Sequence, residues 1–254
     1  MSLPKIIHYC WFGANMPDAE RECIATWKQW MPEYELRLWN EKNIDFEQCA
    51  YAKQAYEQKE YAFLSDYVRA KVLYEQGGIY LDTDMKLLQK ISGTERNFVG
   101  FERKNFVGTA IIGCEPKNPI IRALLEYYEK SPFLNPKGQP NRIANVSVLT
   151  DIFKEKGLQL NGERQQVAGF CIYEREKFFP KKVNEGQFQI ADQTEAVHLC
   201  SNSWMSEREK RRGKNTVWIH ITRPLLRKFR AAGIRIMGKE RVKKIEIRLR
   251  NRLR

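Results

Sequence analysis

The chain has 254 residues, 43% of them hydrophobic, with 44 Lys and Arg against 31 Asp and Glu, a formal net charge of +13. That length and apolar content suit a globular chain with a sizeable core, and no stretch approaches the roughly 18 consecutive apolar residues of a membrane-crossing helix. The six cysteines (10, 23, 49, 114, 171 and 200) contain no C-x-x-C pair, which leaves neither a zinc knuckle nor a disulfide framework and reads as reduced thiols in a cytosolic protein.

In chain order, Lys5 precedes a short apolar run broken by His8, which reads as a buried strand over 6–12 and not as a signal peptide. His8 there reads as a satisfied core histidine. A helix is predicted from Asp18 to Trp30, opening after Pro17 and closing before Pro32, and a second strand from Glu35 to Trp39. The stretch 45–59 is predicted helical, with Phe46, Cys49, Ala50, Ala52 and Tyr56 as a partial apolar face. Tyr61 to Gln76 has no Gly or Pro and sets Phe63, Tyr67, Ala70 and Tyr74 on one helical face, with Gly77-Gly78 at its C-cap. A strand through Ile79 follows, then strands over 98–101 and 109–114. Asn118-Pro119 opens a helix to about Lys130, 131–142 is a Pro- and Asn-rich loop, 146–155 is a helix, and a strand and turn close the domain over 197–204. Such alternation predicts an α/β sandwich around a largely parallel sheet, with ligands at the strand C-terminal ends.

One such end carries chemistry. Gly77-Gly78-Ile79-Tyr80-Leu81-Asp82-Thr83-Asp84 runs up an apolar strand into two carboxylates one residue apart. Strand alternation would project Asp82 and Asp84 the same way. Two carboxylates so placed repel unless a cation joins them, and a hard divalent ion completed by a diphosphate meets that need. A solvated acidic turn is the competing reading of Asp-x-Asp alone. On the preceding helix, Asp66 and Arg69 are neighbours at i, i+3. They read either as a surface ion pair, worth under about 1 kcal/mol, or as a polar pair held near the carboxylates. In the second reading Arg69 faces phosphate or holds Asp66, and Asp66 accepts hydrogen bonds from sugar hydroxyls.

Ser65-Asp66-x-x-Arg69, then Gly77-Gly78-Ile79-Tyr80-Leu81-Asp82-x-Asp84, resembles the signature of glycosyltransferase family 32. That family includes bacterial capsule and surface-polysaccharide transferases and fungal initiating mannosyltransferases; the clostridial glucosylating toxins carry a related signature. The opening from Pro4 to Gly13, with Trp27, Pro32 and Trp39-Asn40, is similar to the family's first elements, and the resemblance covers residues 3–205, thinning after Pro119. It implies an α/β fold of the GT-A type, a Rossmann-like nucleotide-binding half fused to an acceptor half. It also implies transfer of a hexose with retention, through front-face attack by the acceptor. The donor site would comprise Trp11, Ser65, Asp66, Arg69, Tyr80, Asp82, Ser203 and Trp204, with Asp66, Arg69, Asp82 and Asp84 as the catalytic set. Trp11 stands either in the core or stacked on the base, where the toxin resemblance favours uridine. By the same resemblance His198 joins Asp82 and Asp84 around a divalent metal, and Ser203 and Trp204 hydrogen-bond the leaving diphosphate, with Ser201 and Asn202 as competitors. A neutral imidazole favours Mn²⁺ over Mg²⁺. Glu102 reads as a surface glutamate or a sugar contact, and His220 is given no role.

The charge lies in the tail. Residues 207–254 hold 18 basic and 4 acidic residues, leaving 26 basic and 27 acidic before them. A near-neutral catalytic domain over 1–206 is therefore expected to bear a basic segment over 207–254. After Pro224, Leu225, Leu226, Phe229, Ala232, Ile236 and Met237 share a helical face opposite Arg227, Lys228, Arg230 and Arg235, the pattern of an amphipathic helix in a membrane interface. The expected partners are a nucleotide-sugar donor (UDP-hexose, or alternatively GDP-mannose), a saccharide or lipid-linked saccharide acceptor in surface polysaccharide synthesis, and an anionic membrane surface. The expected location is cytoplasmic, peripheral on the inner face. A polyanion-binding module on a degenerate transferase scaffold is the reading from another class. The basic residues avoid the predicted sheet and no nucleic-acid motif appears, so no nucleic-acid partner is expected.

Overall fold

The computed structural model describes residues 2–13, 15–184 and 187–200. In order they form β1 (Ile6–Cys10), α1 (Asp18–Trp30), β2 (Glu35–Trp39), α2 (Ala50–Glu57), α3 (Tyr61–Gln76), β3 (Gly78–Leu81), β4 (Met85–Leu87), β5 (Asn97–Arg103), β6 (Phe106–Val107) and β7 (Ile111–Cys114). Then follow α4 (Pro119–Lys130), α5 (Asn145–Glu155), β8 (Gln165–Val167), β9 (Phe170–Tyr173), α6 (Arg175–Phe178), β10 (Lys182–Asn184), β11 (Gln187–Phe188) and β12 (Ala196–His198).

The central sheet runs β2-β1-β3-β7-β5-β9-β8, with β6 paired to β5. It is mixed, where the sequence predicted a largely parallel sheet. β1 is parallel to β2 and β3, and β5 is parallel to β9. β7 runs antiparallel to both β3 and β5, and β8 to β9. The reason is the connection after β3. The chain turns back at once through β4 instead of crossing over a helix, and a parallel neighbour needs such a crossover. The β1–α1–β2 unit and the parallel β1–β3 pair form the Rossmann-like half, and the whole fits the GT-A form.

Each face of the sheet covers a core. Tyr80, Val99, Phe101 and Ile112 point into the one packed by α2–α5, while Ile79, Leu81, Phe98 and Ile111 point into the one packed by α1, α6 and the β4–β12 ribbon. This is the period-two alternation of strands buried on both faces. It matters for the site, because Tyr80 and the residue two further on look toward α3.

Two local expectations change. The helix predicted over 45–59 is α2, starting only at Ala50. Asp45 Oδ1 accepts the Glu47 N–H at 3.0 Å and Phe46 O accepts the Cys49 N–H at 3.1 Å, so side-chain and turn bonds replace the first helical turn. His8 is the core histidine expected. Its Nδ1 accepts the Trp39 indole N–H at 3.0 Å, which leaves Nε2 to donate to Gly77 O at 2.8 Å. Burial pushes its pKa down to about 4, so it stays neutral. Residues 201–254, with Ser201, Asn202, Ser203, Trp204 and the expected basic segment, lie outside the described residues. Among the described residues no helix is long and apolar enough to cross a membrane.

Candidate active site

The site grows from the α3–β3 junction. Gly77 and Gly78 have φ of 65° and 97°, in the left-handed region, and a Cβ on them would sit 2.6 Å from Pro116 N and 2.7 Å from Ile6 O respectively. Only glycine meets both demands, the conformation and the close approach of backbone. The resulting tight reversal lays β3 beside α3, so the residue beyond Leu81 lies against the middle of that helix.

Asp82 and Asp84 do come together, but not through strand alternation as the sequence suggested. β3 ends at Leu81, and Asp82-Thr83-Asp84 forms a turn closed by Met85 N–H to Asp82 O at 2.9 Å. The turn gives the two carboxylates different partners. Asp82 is held from the α3 side: Arg69 Nη2 lies 3.1 Å from its Oδ1, and Tyr80 OH donates to the same oxygen at 3.1 Å. Asp84 is held from the ribbon side: His198 Nε2 lies 3.1 Å from its Oδ1, and its carbonyl accepts the Leu199 N–H at 3.0 Å.

Arg69 is buried at 4% exposure, and a charge that deep requires partners. It has them. Nη2 also lies 3.0 Å from Asp66 Oδ1, Nη1 donates to Thr109 O at 2.7 Å, and the guanidinium sits 4.6 Å from the centre of the Tyr80 ring. Ser65 adds its carbonyl and hydroxyl, each at 3.4 Å. Burial works against the guanidinium charge, yet Asp82, Tyr80 and Asp66 outweigh it and raise its pKa. Of the two sequence readings of Asp66–Arg69, the surface pair is excluded. Asp66 is itself buried, and that burial pushes its carboxyl up to about 7, against the pull of Arg69.

The sequence did not single out Asn145 or Thr109. Asn145 Nδ2 donates to Asp66 Oδ1 at 2.5 Å, and Thr109 Oγ1 donates to Asn145 Oδ1 at 2.8 Å. The available signal was an asparagine on the buried stripe of α5, with Val148, Leu149 and Phe153. A polar side chain there has to serve a polar neighbour.

One ligand atom each from Asp82, Asp84 and His198 lies within 4.8 Å of the others. Two carboxylates and an imidazole form a donor set suited to a divalent metal ion. His198 fits that use. Burial would lower its pKa, but its bonds to Asp84 and Cys200 outweigh burial and raise it well above the ordinary value. Trp11 stands just past the C-terminal end of β1, half-buried, on the sheet edge where β3 also ends. Glu102, near the end of β5, is on the same edge, partly exposed, with Arg103 Nε 3.9 Å away.

Residues 17–103 match the family described as glycosyltransferase sugar-binding region containing DXD motif. The span includes Asp66, Arg69, Asp82 and Asp84. Two relatives are Schizosaccharomyces pombe proteins: inositol phosphoceramide mannosyltransferase 2, 29% identical over 139 residues (51% of this chain, 39% of that protein), and inositol phosphoceramide mannosyltransferase 3, 33% identical over 92 residues (33% and 25%). A third, subversion of eukaryotic traffic protein A of Legionella pneumophila, is 24% identical over 163 residues, 51% of this chain and 25% of its own length. The solved structure of PaToxG glycosyltransferase aligns with a TM-score of 0.48 at 20% identity, over 61% of this chain and 70% of that one. The matches thus span between a quarter and two-fifths of the length of these curated relatives. With the matched segment, its DXD motif and its mannosyltransferase relatives, this chain carries a family-32-like glycosyltransferase domain.

Proposed function

We propose that the chain transfers a hexose, with retention, from a nucleotide-diphosphate sugar to a lipid-linked saccharide acceptor, in a divalent-metal-dependent reaction. The observation that carries this reading is the Asp82–Asp84–His198 cluster, set beside a fully braced Asp66–Arg69 pair at the C-terminal edge of the sheet.

Asp82, Asp84 and His198 are the residues that would hold the ion. When bound, a divalent ion supplies charge neutralisation for the departing diphosphate and a template for it. The protein does the rest. Asp66, Asp82, Thr109 and Ser65 fix the Arg69 fork; its charge is therefore pre-positioned beside Asp82, and such preorganised charge needs no rearrangement during reaction. Its direct role is to fix Asp82, with Tyr80 bonding the same oxygen. Asp66, oriented by Asn145, presents a carboxyl to the sugar hydroxyls. Trp11 supplies a flat face for the base at the end of β1. Ser203 and Trp204 remain, by resemblance, the donors to the leaving diphosphate. The proposed location is the inner face of a membrane, held by the basic segment over 207–254.

Uridine as the base rests on the toxin resemblance at Trp11, and UDP-hexose is the first donor proposed. A second reading, GDP-mannose, is favoured by the two fungal relatives, whose names join mannosyl transfer to a phosphoceramide lipid. Those names also favour a lipid-borne acceptor. A panel of nucleotide sugars, assayed for nucleotide release with Mn²⁺ and with EDTA, tests the proposal. Release from one UDP- or GDP-sugar, dependent on metal, is the expected result. Metal-independent release, or none from any sugar, would contradict it.

A further inference from the structure

β12 carries His198, and it is only three residues long. It pairs with the equally short β4, with Ala196 opposite Leu87, Val197 opposite Lys86 and His198 opposite Met85. The ladder is short, extended only by the Leu199 N–H bond to Asp84 O, and a slip of one residue would turn His198 to the other face, away from Asp84.

A buried charge cluster lies at the start of this ribbon. Glu195 is 6% exposed and Lys177, on α6, 7%. Lys177 Nζ lies 2.5 Å from Glu195 Oε1 and donates to Ser92 Oγ at 2.8 Å. Ser92 Oγ donates to Glu195 Oε1 at 2.5 Å, and the Ser92 N–H donates to Oε2 at 3.1 Å, so both carboxylate oxygens are used. The ammonium also sits 4.5 Å from the centre of the Tyr173 ring. The backbone is tied at the same residue: Glu195 N–H donates to Lys177 O at 2.8 Å, and Leu88 N–H donates to Glu195 O at 2.9 Å. Glu195 is thus fixed on one side to α6 and on the other to the chain leaving β4, one residue before the ladder begins.

Burying an ion pair seldom adds stability over an apolar pair of the same volume, and its best-attested use is to fix registry. We propose that Lys177, Glu195 and Ser92 form a register lock for the β4–β12 ribbon, and that they are positioning residues for His198 and so for divalent-ion affinity. Only one alignment of β12 lets Glu195 reach Lys177 and Ser92 while His198 reaches Asp84. This inference rests on the three-ligand site proposed above.

The test is Mn²⁺ binding to the full chain, followed by loss of the free-ion EPR signal, in the double variant Lys177→Met/Glu195→Leu. That pair removes both charges together and leaves none buried alone. The lock predicts a folded protein whose Mn²⁺ affinity falls about tenfold, the lower end of what loss of supporting groups around a metal costs. Should the double variant not fold, Ser92→Ala removes one hydroxyl of the cluster and is expected to weaken binding severalfold. Wild-type affinity in the folded double variant, or in Ser92→Ala in its place, overturns the lock. His198→Ala in the same titration separates the two levels. Affinity lost there but kept in the cluster variants overturns the lock alone; affinity kept in all of them overturns the three-ligand site as well.

Discussion

Asp66 is the residue whose surroundings differ most from its sequence appearance. It looks like half of an exposed i, i+3 pair, yet it is buried against Arg69 and Asn145 with its pKa raised to about 7. Burial favours the neutral acid more than Arg69 favours the charge. A raised folded-state pKa contributes stability that is full below the unfolded value near 4 and is lost as pH rises through about 7. In EDTA, the urea midpoint of the wild type should therefore carry a downward contribution between about pH 4 and pH 7 that Asp66→Asn removes. An identical pH slope in Asp66→Asn would contradict the assignment. At Trp11 the expectation concerns binding. Aromatic–base stacking is worth about 1–3 kcal/mol, so Trp11→Ala should weaken UDP affinity by roughly tenfold or more in a calorimetric titration with Mn²⁺ present. Unchanged affinity in the folded variant would return Trp11 to a packing role. Tighter binding of GDP than of UDP would move the donor to GDP-mannose. The carboxylates themselves were legible in the sequence, because Asp-x-Asp after an apolar run is a local pattern. Asn145 and Thr109 were not, because the Asn145–Asp66 and Thr109–Asn145 bonds join residues 79 and 36 positions apart in the chain.

At the scale of elements, α3, its glycine stop and β3 could be read almost to the residue, since capping and periodicity are short-range signals that agree here. The short strand β4 could not, and β12 was read only as the start of a strand and turn over 197–204. Both have three residues, too few to show a period, and their pairing spans more than a hundred residues. The antiparallel place of β7 was hidden for the same reason, since no crossover or hairpin signal announces it. The start of α2 was misplaced because Asp45 diverts its first turn. The α3–β3 reversal carries its own prediction. Gly77→Ala must adopt a φ of 65° and bring a Cβ to 2.6 Å from the backbone of Pro116. It should lower stability by more than about 1 kcal/mol, read as a shift in urea midpoint, and should weaken Mn²⁺ binding by displacing Asp82. A wild-type midpoint would show that the turn can relax without cost.

For the molecule as a whole, charge separates what the motif does not. The basic excess lies in 207–254, and the site residues described here all precede it. Each basic side chain near an anionic leaflet contributes about 1 kcal/mol and is screened within a Debye length. The full chain should therefore sediment with vesicles containing phosphatidylserine at low salt and release at high salt. A truncation ending at Ser206 should lose that binding while keeping acceptor-independent donor hydrolysis. A folded truncation that still binds would refute the membrane role of the segment. An insoluble one would show that its apolar face covers the domain instead.

The claim on which the rest depends is that Asp82, Asp84 and His198 hold a divalent ion against a nucleotide diphosphate. Asp84→Asn tests it most directly, because Asp84 lies on a half-buried turn, outside the Asp66–Arg69–Asp82 ion pairs, and bonds His198. Nucleotide release from the preferred donor should fall to the metal-free background in Asp84→Asn, with circular dichroism and thermal unfolding like those of the wild type. Near-normal metal-dependent release by folded Asp84→Asn would contradict the account.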